Sequence, residues 1–385
     1  MESTKNKNIP NVPPLRFPGF TDEWKVCRIC DIAKIEKGIG ISKDQLSDNG
    51  KGCILYGELY TKYRSEIIEE VFSKTDLDSS KLMKSQFNDV LIPCSGETAE
   101  DIATSRCLKK EGILLGGDLN IIRFDKQDGG FMSYQLNGKR KYDIARVAQG
   151  VSVVHLYPNH LKSLKVNVPQ LEEQQRVVKL LALIDERIAT QNKIIEDLKK
   201  LKSAIRKILF DNLINLPTED VEIGELLNYE QPSDYIVASE EYISDITKTP
   251  VLTANKGFIL GYTEEQFGIY RKGECIIFDD FTMDAKYVTF PFKVKSSAIK
   301  ILTATPNVNL RFMFEYLQSM DLKSEEHKRH YISEIATLVV AIPMIEIQTH
   351  IACIIDSIDR KLTIEQQVAK EYELEKLYLL SNMFI

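Results

Sequence analysis

Few residues of this chain stand in a spacing that could support catalysis. Asp279, Asp280 and Lys286 come closest, because paired acids and a lysine can hold a divalent metal ion and activate water. The two acids are too close in sequence to lie on adjacent strands of a nuclease sheet. We therefore interpret this stretch as a loop that brings Lys286 near a phosphate. The chain also lacks the G-x-x-x-x-G-K-[ST] sequence, which excludes one large class of ATPases.

Two pairs of possible metal ligands fail the same test of spacing. Cys27 and Cys30 form a C-x-x-C, but a zinc ribbon needs a second pair about 15–20 residues further on, and Cys53 stands alone. His327 and His330 form an H-x-x-H that encloses the basic pair Lys328 and Arg329. We predict structural thiols at the first pair, a basic surface at the second, and a metal site at neither.

Basic and aromatic residues suited to nucleic acid recur in both halves of the chain. Lysine and arginine contact phosphates, while arginine, asparagine and threonine can also read base edges. The predicted DNA-binding residues of the first half are Tyr60, Lys62, Tyr63, Arg64, Arg106, Lys109, Lys139 and Arg140. Those of the second half are Thr253, Asn255, Lys256, Arg271, Lys286, Lys328 and Arg329. A single charge run is more often a solvated face, so the prediction rests on the occurrence of such runs in both halves.

The overall charge argues against a general nucleic-acid binder. The chain of 385 residues has a net charge of −6, whereas such binders usually carry a basic excess. DNA binding would therefore need local basic surfaces on an acidic body. No apolar run reaches the ~18–20 residues of a membrane helix, and the N-terminus lacks the apolar core of a signal peptide. We expect a cytoplasmic protein whose seven cysteines are reduced.

The elements that must position these residues are two long helices that copy each other. Residues 169–210 and 343–384 align without a gap at an offset of 174 residues (343 − 169). The identical pairs include Pro169 and Pro343, Gln174 and Gln348, Asp185 and Asp359, and Lys202 and Lys376. Each stretch is long enough for a helix of about 60 Å, and the proline is expected to open it.

Apolar residues in both copies follow the alternating four- and three-residue steps of a coiled-coil seam. The predicted seam is Val177, Leu181, Ile184, Ile188, Ile195, Leu198 and Ile205 in the first copy, and Ile351, Ile355, Ile358, Leu362, Tyr372 and Leu379 in the second. Both seams are interrupted at the same two places, by Gln191 and Lys202 and by Glu365 and Lys376. We predict antiparallel packing with Leu181 near Leu379, Ile188 near Tyr372, Leu198 near Leu362 and Lys202 near Ile358.

Each helix follows a variable region of mixed character. The predicted organisation is a first variable region at 1–168, a helix at 169–212, a second variable region at 213–342 and a helix at 343–385. Short apolar runs bounded by turn residues predict strands in both regions, and 311–318 predicts a helix. The fold class is α+β: two mixed α/β domains, each followed by a long helix, with the helices in an antiparallel coiled coil of pseudo-twofold symmetry.

Several segments resemble the specificity subunit of type I restriction–modification systems, over essentially all 385 residues. The segments are VPPLRFPGFTDEWK (12–25), YGELYTKY (56–63), PCSGETAEDI (93–102), FILGYTEEQFGIY (258–270) and VPQLEEQQRVVKLLALID (168–185). The resemblance implies that 1–168 and 213–342 are target recognition domains, each reading one half of a bipartite, asymmetric sequence in double-stranded DNA. It implies that the helices are spacers whose length sets the distance between the half-sites.

The resemblance also implies partners and places the catalysis in them. Two modification subunits would bind S-adenosylmethionine and methylate adenine, and two restriction subunits would use ATP and Mg to translocate and cleave DNA. This chain would hold no cofactor and would not be an enzyme. The alternative is a coiled-coil scaffold that does not bind DNA, which explains the helices and the negative charge but not the basic loops. A self-sufficient nuclease or methyltransferase would need a site that the sequence does not show.

Overall fold

The computed structural model describes residues 10–150, 154–253, 257–322 and 330–385. The chain forms two compact units: unit 1 is Met1–Asn192 with Gln367–Ile385, and unit 2 is Lys193–Gln366. The helices are α1 (Ile29–Ile32), α2 (Glu58–Thr61), α3 (Ala99–Ile102), α4 (Gly129–Asn137), α5 (Lys141–Val147), α6 (Pro158–Lys162), α7 (Leu171–Asp211), α8 (Ile223–Leu226), α9 (Leu310–Ser319) and α10 (Ile345–Asn382). Each unit therefore contains one variable region and a segment of both long helices, α7 and α10.

The strands of unit 1 form a larger and a smaller sheet. They are β1 (Lys25–Arg28), β2 (Ala33–Lys37), β3 (Lys51–Ile54), β4 (Ile67–Ile68), β5 (Ser73–Thr75), β6 (Met83–Lys84), β7 (Asp89–Pro93), β8 (Ser95–Gly96), β9 (Arg106–Leu108), β10 (Leu114–Leu115), β11 (Leu119–Phe124), β12 (Val154–His155) and β13 (Lys165–Val168). The larger sheet has the order β2-β11-β7-β9-β4 and the smaller has β5-β3-β10-β6. Strands β1 and β13 pair separately, as do β8 and β12.

Unit 2 repeats this arrangement with different residues. Its strands are β14 (Thr218–Glu222), β15 (Leu227–Glu230), β16 (Thr249–Leu252), β17 (Ile259–Thr263), β18 (Cys275–Asp279), β19 (Ala285–Val288), β20 (Lys293–Val294), β21 (Ile299–Ala304) and β22 (Val339–Pro343). The larger sheet has the order β15-β21-β18-β19 and the smaller has β17-β16-β20. The variable regions thus share a topology that their sequences do not reveal.

Strand directions support this equivalence. The second strand of each larger sheet, β11 or β21, is antiparallel to both of its neighbours. The smaller sheets each contain one parallel pair, β3 with β10 and β16 with β20. Strands β1 and β13 in unit 1 correspond to β14 and β22 in unit 2, and both pairs are antiparallel. The short helices α1 (29–32) and α8 (223–226) follow β1 and β14 directly, one in each unit.

The long helices meet within each unit. In unit 1, Val177 of α7 and Phe384 of α10 belong to the same buried cluster, which also contains Leu181 and Leu379. In unit 2, Phe210 of α7 and Ile351 of α10 belong to one buried cluster. Together with the ion pairs described below, these clusters show that the α7 and α10 segments of each unit run antiparallel. Every residue of the predicted seam is buried or half-buried.

One detail of the helix predictions is wrong. The prolines do not open the helices, since α7 begins at Leu171 and α10 at Ile345. Pro343 still belongs to β22, where it lies opposite Thr218, so its backbone is extended. Lys202, which was predicted near Ile358, binds Asp359, the next residue of α10, through a bond of 2.7 Å. An ion pair therefore occupies the seam at this position.

A cluster of three aromatic rings joins distant parts of unit 1. Phe131 of α4 lies 5.6 Å from Trp24 and 5.1 Å from Phe384, measured between ring centroids. All three side chains are buried. The N-terminal segment, the first variable region and the end of α10 consequently share one core. Among the described residues, no helix combines the length and the apolar character that a membrane crossing requires.

Candidate nucleic-acid interface

The predicted DNA-binding residues of unit 1 divide into exposed and buried groups. Arg64 and Lys139 are exposed, as a phosphate contact requires, and Tyr60 is half-buried on the short helix α2. Lys62 is exposed but bound to Glu58, with Nζ 2.6 Å from Oε1. These four residues keep a surface position from which DNA could be reached.

Arg106 and Tyr63 were predicted to contact DNA, but the structure buries both side chains. The Arg106 guanidinium is buried and donates to the carbonyl oxygens of Leu59 at 3.1 Å and Tyr63 at 2.9 Å. Burial lowers the pKa of Arg106, against the attraction of Glu66. The Tyr63 ring is buried and stacked on Phe72, and burial raises its pKa to about 12. These side chains hold the loop after α2 in place instead of facing solvent.

Lys109 and Arg140 also have intramolecular partners. Lys109 Nζ lies 2.7 Å from Asn88 Oδ1 and 3.6 Å from the α4 cap residue Asp128. Arg140 lies 3.3 Å from Asp143 and is half-buried. Both residues are engaged in the packing around α4 and α5, which reduces the charge that they present to solvent.

In unit 2 the structure describes Thr253, Arg271 and Lys286. Arg271 is exposed, and the other two are half-buried. Lys286 was expected in a loop, but it lies on β19, paired with β18. The remaining predicted contacts, Asn255, Lys256, Lys328 and Arg329, lie outside the described residues, as does His327.

The acidic pair that resembled a nuclease fragment supports local structure. Asp279 accepts bonds from the backbone N–H groups of Phe281 and Thr282, both at 2.9 Å. Asp280 accepts from the backbone N–H of Tyr331 at 2.9 Å and lies 3.4 Å from the buried Lys300. Within the described ranges, no three His, Cys, Asp or Glu side chains are placed to hold one metal ion.

Each smaller sheet borders a surface cleft that contains a predicted DNA-binding residue. The cleft of unit 1 has a volume of about 770 Å³, lies beside the ends of β3 and β10, and is lined by Tyr56 and Lys62 among others. The cleft of unit 2 has a volume of about 570 Å³, lies beside β16 and β17, and is lined by Tyr262 and Arg271 among others. Basic and aromatic side chains thus line a cleft beside the smaller sheet of each unit.

Glycines shape the wall of the first cleft. A Cβ atom on Gly38 would lie 1.8 Å from the carbonyl oxygen of Gly116, and one on Gly117 would lie 3.3 Å from the Cα of Gly40. The backbones of 38–40 and 116–117 therefore cross in direct contact, which side chains would prevent. Gly38 and Gly40 form the isolated G-x-G of the sequence, and their role here is close backbone packing.

A buried ion cluster, which we call lysine cluster 1, lies in unit 1. It consists of Lys376, Asp185, Glu66, Tyr134 and Ser65. Lys376 Nζ lies 2.6 Å from Asp185 Oδ1 and 2.6 Å from Glu66 Oε2. The other oxygen of Asp185 accepts bonds from the Tyr134 hydroxyl at 2.8 Å and the Ser65 hydroxyl at 3.0 Å. The cluster joins α10, α7 and the first variable region.

Burial and charge act in opposite directions on the lysine of this cluster. Burial lowers the pKa of Lys376, but the attractions of Glu66 and Asp185 outweigh it, so the net direction is upward. Burial, followed by the Asp185 charge, raises the pKa of Tyr134 far above its usual range. Lys376 is therefore held in its charged form and Tyr134 in its neutral form.

Lysine cluster 2 is the equivalent set in unit 2 and consists of Lys202, Asp359, Glu315, Arg206 and Arg311. Lys202 Nζ lies 2.7 Å from Asp359 Oδ1 and 3.4 Å from Glu315 Oε1. Glu315 is fully buried and also binds Arg206 at 2.6 Å and Arg311 at 2.9 Å. The Nη2 atom of Arg311 contacts Asp359 as well. This cluster joins α7, α10 and the second variable region.

A glutamine makes a second junction in each unit. Gln174 donates to the carbonyl oxygen of Pro169 at 2.9 Å and accepts from the backbone N–H of Asp128, the N-cap of α4, at 2.9 Å. Gln348 repeats both bonds, donating to Pro343 at 2.8 Å and accepting from the N–H of Asn309, the N-cap of α9, at 2.9 Å. Both glutamines are buried. Each glutamine thus satisfies a backbone N–H group that the start of a helix leaves without a partner inside the helix.

This architecture occurs in a known protein family. The model of the type I restriction modification DNA specificity domain matches residues 21–200 and 215–375. The chain belongs to this family. The two matched segments, one in each half, agree with the duplicated topology. The resemblance inferred from short motifs is thereby confirmed.

Relatives of this specificity-domain protein carry related names. It is 38% identical over 175 residues to the type I restriction enzyme EcoR124I/EcoR124II specificity subunit of Escherichia coli, which is 41% of this chain and 43% of that protein. It is 28% identical over 249 residues to the MjaVIII specificity subunit of Methanocaldococcus jannaschii, which is 64% of this chain and 54% of that protein. The chain spans about half the length of these curated relatives.

Solved structures support the fold of the specificity-domain chain. The crystal structure of a type I restriction-modification S subunit from M. genitalium aligns with a TM-score of 0.66 at 16% identity, over 97% of this chain and 99% of that one. A second structure, concerning complex assembly and conformational transition of the type I R-M system, aligns with a TM-score of 0.55 at 13% identity, over the same shares. At such low identity the likeness concerns the fold alone.

Sequence reasoning missed several residues that organise this specificity-domain protein. Glu66, Tyr134 and Glu315 complete the lysine clusters, and no local pattern in the variable regions marks them. Lys202 and Lys376 were visible as polar interruptions shared by both seams, but their partners were not. The identical pairs of glutamines and aspartates were the available signal, and their meaning required the packing of the variable regions against the helices.

Proposed function

We propose that this chain is the DNA-recognition subunit of a type I restriction–modification complex, reading a bipartite, asymmetric sequence in double-stranded DNA. The observation that carries the proposal is the repeated topology. Both units pair a larger sheet with a smaller one, and each smaller sheet borders a cleft with basic and aromatic side chains. Two similar folds with different surface residues suit two different half-sites.

One half-site belongs to each variable region, 1–168 and 213–342, acting as target recognition domains. Arg64 and Lys139 are the best candidates for DNA contact in unit 1, and Arg271 is the best in unit 2, because these three are exposed. The acidic net charge is compatible with this role, since specific binding needs only a local positive surface. The lengths of α7 and α10, with 41 and 38 residues, would set the number of base pairs between the half-sites.

Partner subunits would dock on the outer faces of the long helices. On α7, Ile194, Leu201 and Ile208 are exposed and recur every seven residues, so they share one face within unit 2. On α10, Leu377 and Tyr378 are exposed within unit 1. Large apolar side chains on a helix exterior are typical of protein interfaces. We assign these faces to two modification subunits, which two restriction subunits would join.

The chemistry would lie in the partners. The modification subunits would bind S-adenosylmethionine, and the restriction subunits would use ATP and Mg, so this chain would need no cofactor and would act as a non-catalytic component. The acids that could have formed a nuclease site bind backbone groups instead, which supports this division. The complex would act on DNA in the cytoplasm.

Methylation mapping tests the proposal directly. The chain is co-expressed with its modification subunits in a host that lacks other adenine methyltransferases, and methylated positions are read by long-read sequencing. We expect one motif made of two specified halves separated by a fixed unspecified spacer. A control co-expression omits this chain and should leave the genome unmethylated. A single uninterrupted motif, or methylation that does not require this chain, would contradict the proposal.

A further inference from the structure

We propose that Lys376 and Lys202 are positioning residues for DNA reading, and that each fixes one target recognition domain on the long helices so that its half-site is read correctly. This inference rests on the proposed function. It assigns a specific role to two side chains that were not predicted to contact DNA. Its basis is a geometry that occurs twice, once in each unit.

Each lysine joins three separate parts of the chain. In unit 1, Lys376 of α10 binds Asp185 of α7 and Glu66 of the first variable region. In unit 2 the helices exchange roles, so that Lys202 of α7 binds Asp359 of α10 and contacts Glu315 of the second variable region. The first domain precedes α7 in the chain but is fixed by a lysine of α10. The second domain precedes α10 but is fixed by a lysine of α7.

The two domains reach their lysine through different elements. Glu66 lies between α2 and β4, whereas Glu315 lies in the middle of α9. Helices α4 and α9 occupy equivalent places in the two units. Tyr134 and Glu315 are each the sixth residue after the N-cap of their helix (134 − 128 and 315 − 309). The Tyr134 hydroxyl binds Asp185. The same helix position therefore serves the cluster in both units with different chemistry. The two units make this contact with different side chains, which indicates that the contact itself is required.

Two anchors fix an orientation that one anchor would leave free. The first anchor of each domain is the glutamine junction at the start of the long helix, made by Gln174 or Gln348. The lysine cluster lies eleven residues further along (185 − 174), about 16 Å along the helix axis at the usual rise. Without the second anchor, a domain would stay attached through the glutamine junction and the apolar core that it shares with the helices, but its tilt would be less restricted. A tilt displaces the DNA-reading surface of that domain.

The lysines are suited to this role because their partners are buried. Side-chain exposure is 15% for Lys376 and 17% for Lys202, and it is 8% and 0% for Glu66 and Glu315. A buried carboxylate that loses a partner disfavours the geometry in which it is buried. Replacing Lys376 by an uncharged residue should consequently shift the first domain on the helices. The shift of the second domain on replacement of Lys202 should be smaller, because Arg206 and Arg311 keep Glu315 paired.

The test uses the full chain in complex with its modification subunits. Lys376→Met and Lys202→Met are compared with Lys199→Met, a matched control on the exposed face of α7. Binding is measured on two DNA libraries, each with one half-site randomised and the other intact. We expect Lys376→Met to reduce base discrimination in the half read by the first domain by about tenfold and to leave the other half within about twofold. Lys202→Met should show the reverse pattern with a smaller loss, because Arg206 and Arg311 still bind Glu315, and Lys199→Met should match the wild type.

Two further variants separate positioning from loss of folding. Lys376→Arg keeps the positive charge and should restore discrimination. Glu66→Gln keeps the shape of the glutamate side chain but removes its charge, so it should reproduce the Lys376→Met defect at the same half-site. All proteins are assayed at a temperature at which circular dichroism shows them folded. Equal loss at both half-sites, or no loss in either methionine variant, would overturn the inference. If the wild-type complex itself selected no bipartite sequence, the proposed function would fail instead.

Discussion

The Nζ atom of Lys376 lies 2.6 Å from Oδ1 of Asp185, and the equivalent atoms of Lys202 and Asp359 lie 2.7 Å apart. In both pairs one long helix supplies the lysine and the other supplies the aspartate. The pairs differ in their surroundings, because the side chain of Asp185 is 7% exposed and that of Asp359 is 33% exposed. If the lysine is lost, water can therefore solvate Asp359 more easily than Asp185.

This difference predicts unequal costs for the same substitution. Asp185→Asn should lower the free energy of unfolding by about 3 kcal/mol, since it leaves Lys376 with one buried partner fewer. Asp359→Asn should cost about 1 kcal/mol, because the site is partly hydrated and both Lys202 and Arg311 keep Glu315 as a partner. Urea unfolding followed by circular dichroism measures both. Equal costs would mean that burial does not control the strength of the pairs.

The pKa shifts of lysine cluster 1 predict loss of stability at alkaline pH. The folded protein raises the pKa of Lys376 and of Tyr134, so both hold their protons more tightly than the unfolded chain does. Their contribution is fully present below the unfolded values, about 10 to 10.4, and is lost as the pH rises through the folded values. The melting temperature should therefore fall when the pH rises from 9 to 11.

A charge-retaining variant provides the control for the alkaline effect. Lys376→Arg stays protonated throughout this range, because the guanidinium has a pKa above about 12. Its melting temperature should depend less on pH than that of the wild type. Identical pH profiles for the two proteins would show that Lys376 does not contribute to the alkaline transition.

The glutamine junctions should be important for stability although they carry no charge. Gln174→Ala and Gln348→Ala each remove two buried hydrogen bonds, leaving a proline carbonyl and an N-cap amide without these partners. We expect each variant to lose about 1–3 kcal/mol in chemical unfolding. Gln366→Ala, at an exposed position of α10, is the matched control and should change stability by less than about 0.5 kcal/mol. A loss as large in the control would indicate an effect of helix composition alone.

Arg64 and Arg106 should separate DNA binding from folding. Arg64 is exposed, so Arg64→Ala should weaken DNA binding by the reconstituted complex, lower the slope of log affinity against log salt by about 1 if it contacts a phosphate, and leave the melting temperature unchanged. Arg106→Ala removes two bonds to backbone carbonyls in the core and should lower the melting temperature. Fluorescence anisotropy at several salt concentrations and thermal melts provide the two readouts. A stable Arg106→Ala protein with a reduced salt slope would restore the original prediction for that residue.

Periodicity and repetition were sufficient to predict the scaffold. The two long helices, the seam and the division into similar halves follow from local spacing, since a helix places every third or fourth residue on one face regardless of distant sequence. Strands were also predicted in both variable regions, because buried strands such as β7, β11, β18 and β21 are short apolar runs between turn residues. Family membership followed from short motifs, one of which covers the start of α7.

Only the tertiary structure decided which polar side chains face solvent. Arg64 and Arg106 have the same chemistry in the sequence, yet one is exposed and the other is buried, because distant segments fold over the second. The polar interruptions of the seams were visible as Lys202 and Lys376, but their acidic partners lie 113 and 310 residues away (315 − 202 and 376 − 66). Spacing along a chain encodes the periodicity of an element, whereas the environment of a charge depends on contacts between elements, which local spacing does not specify.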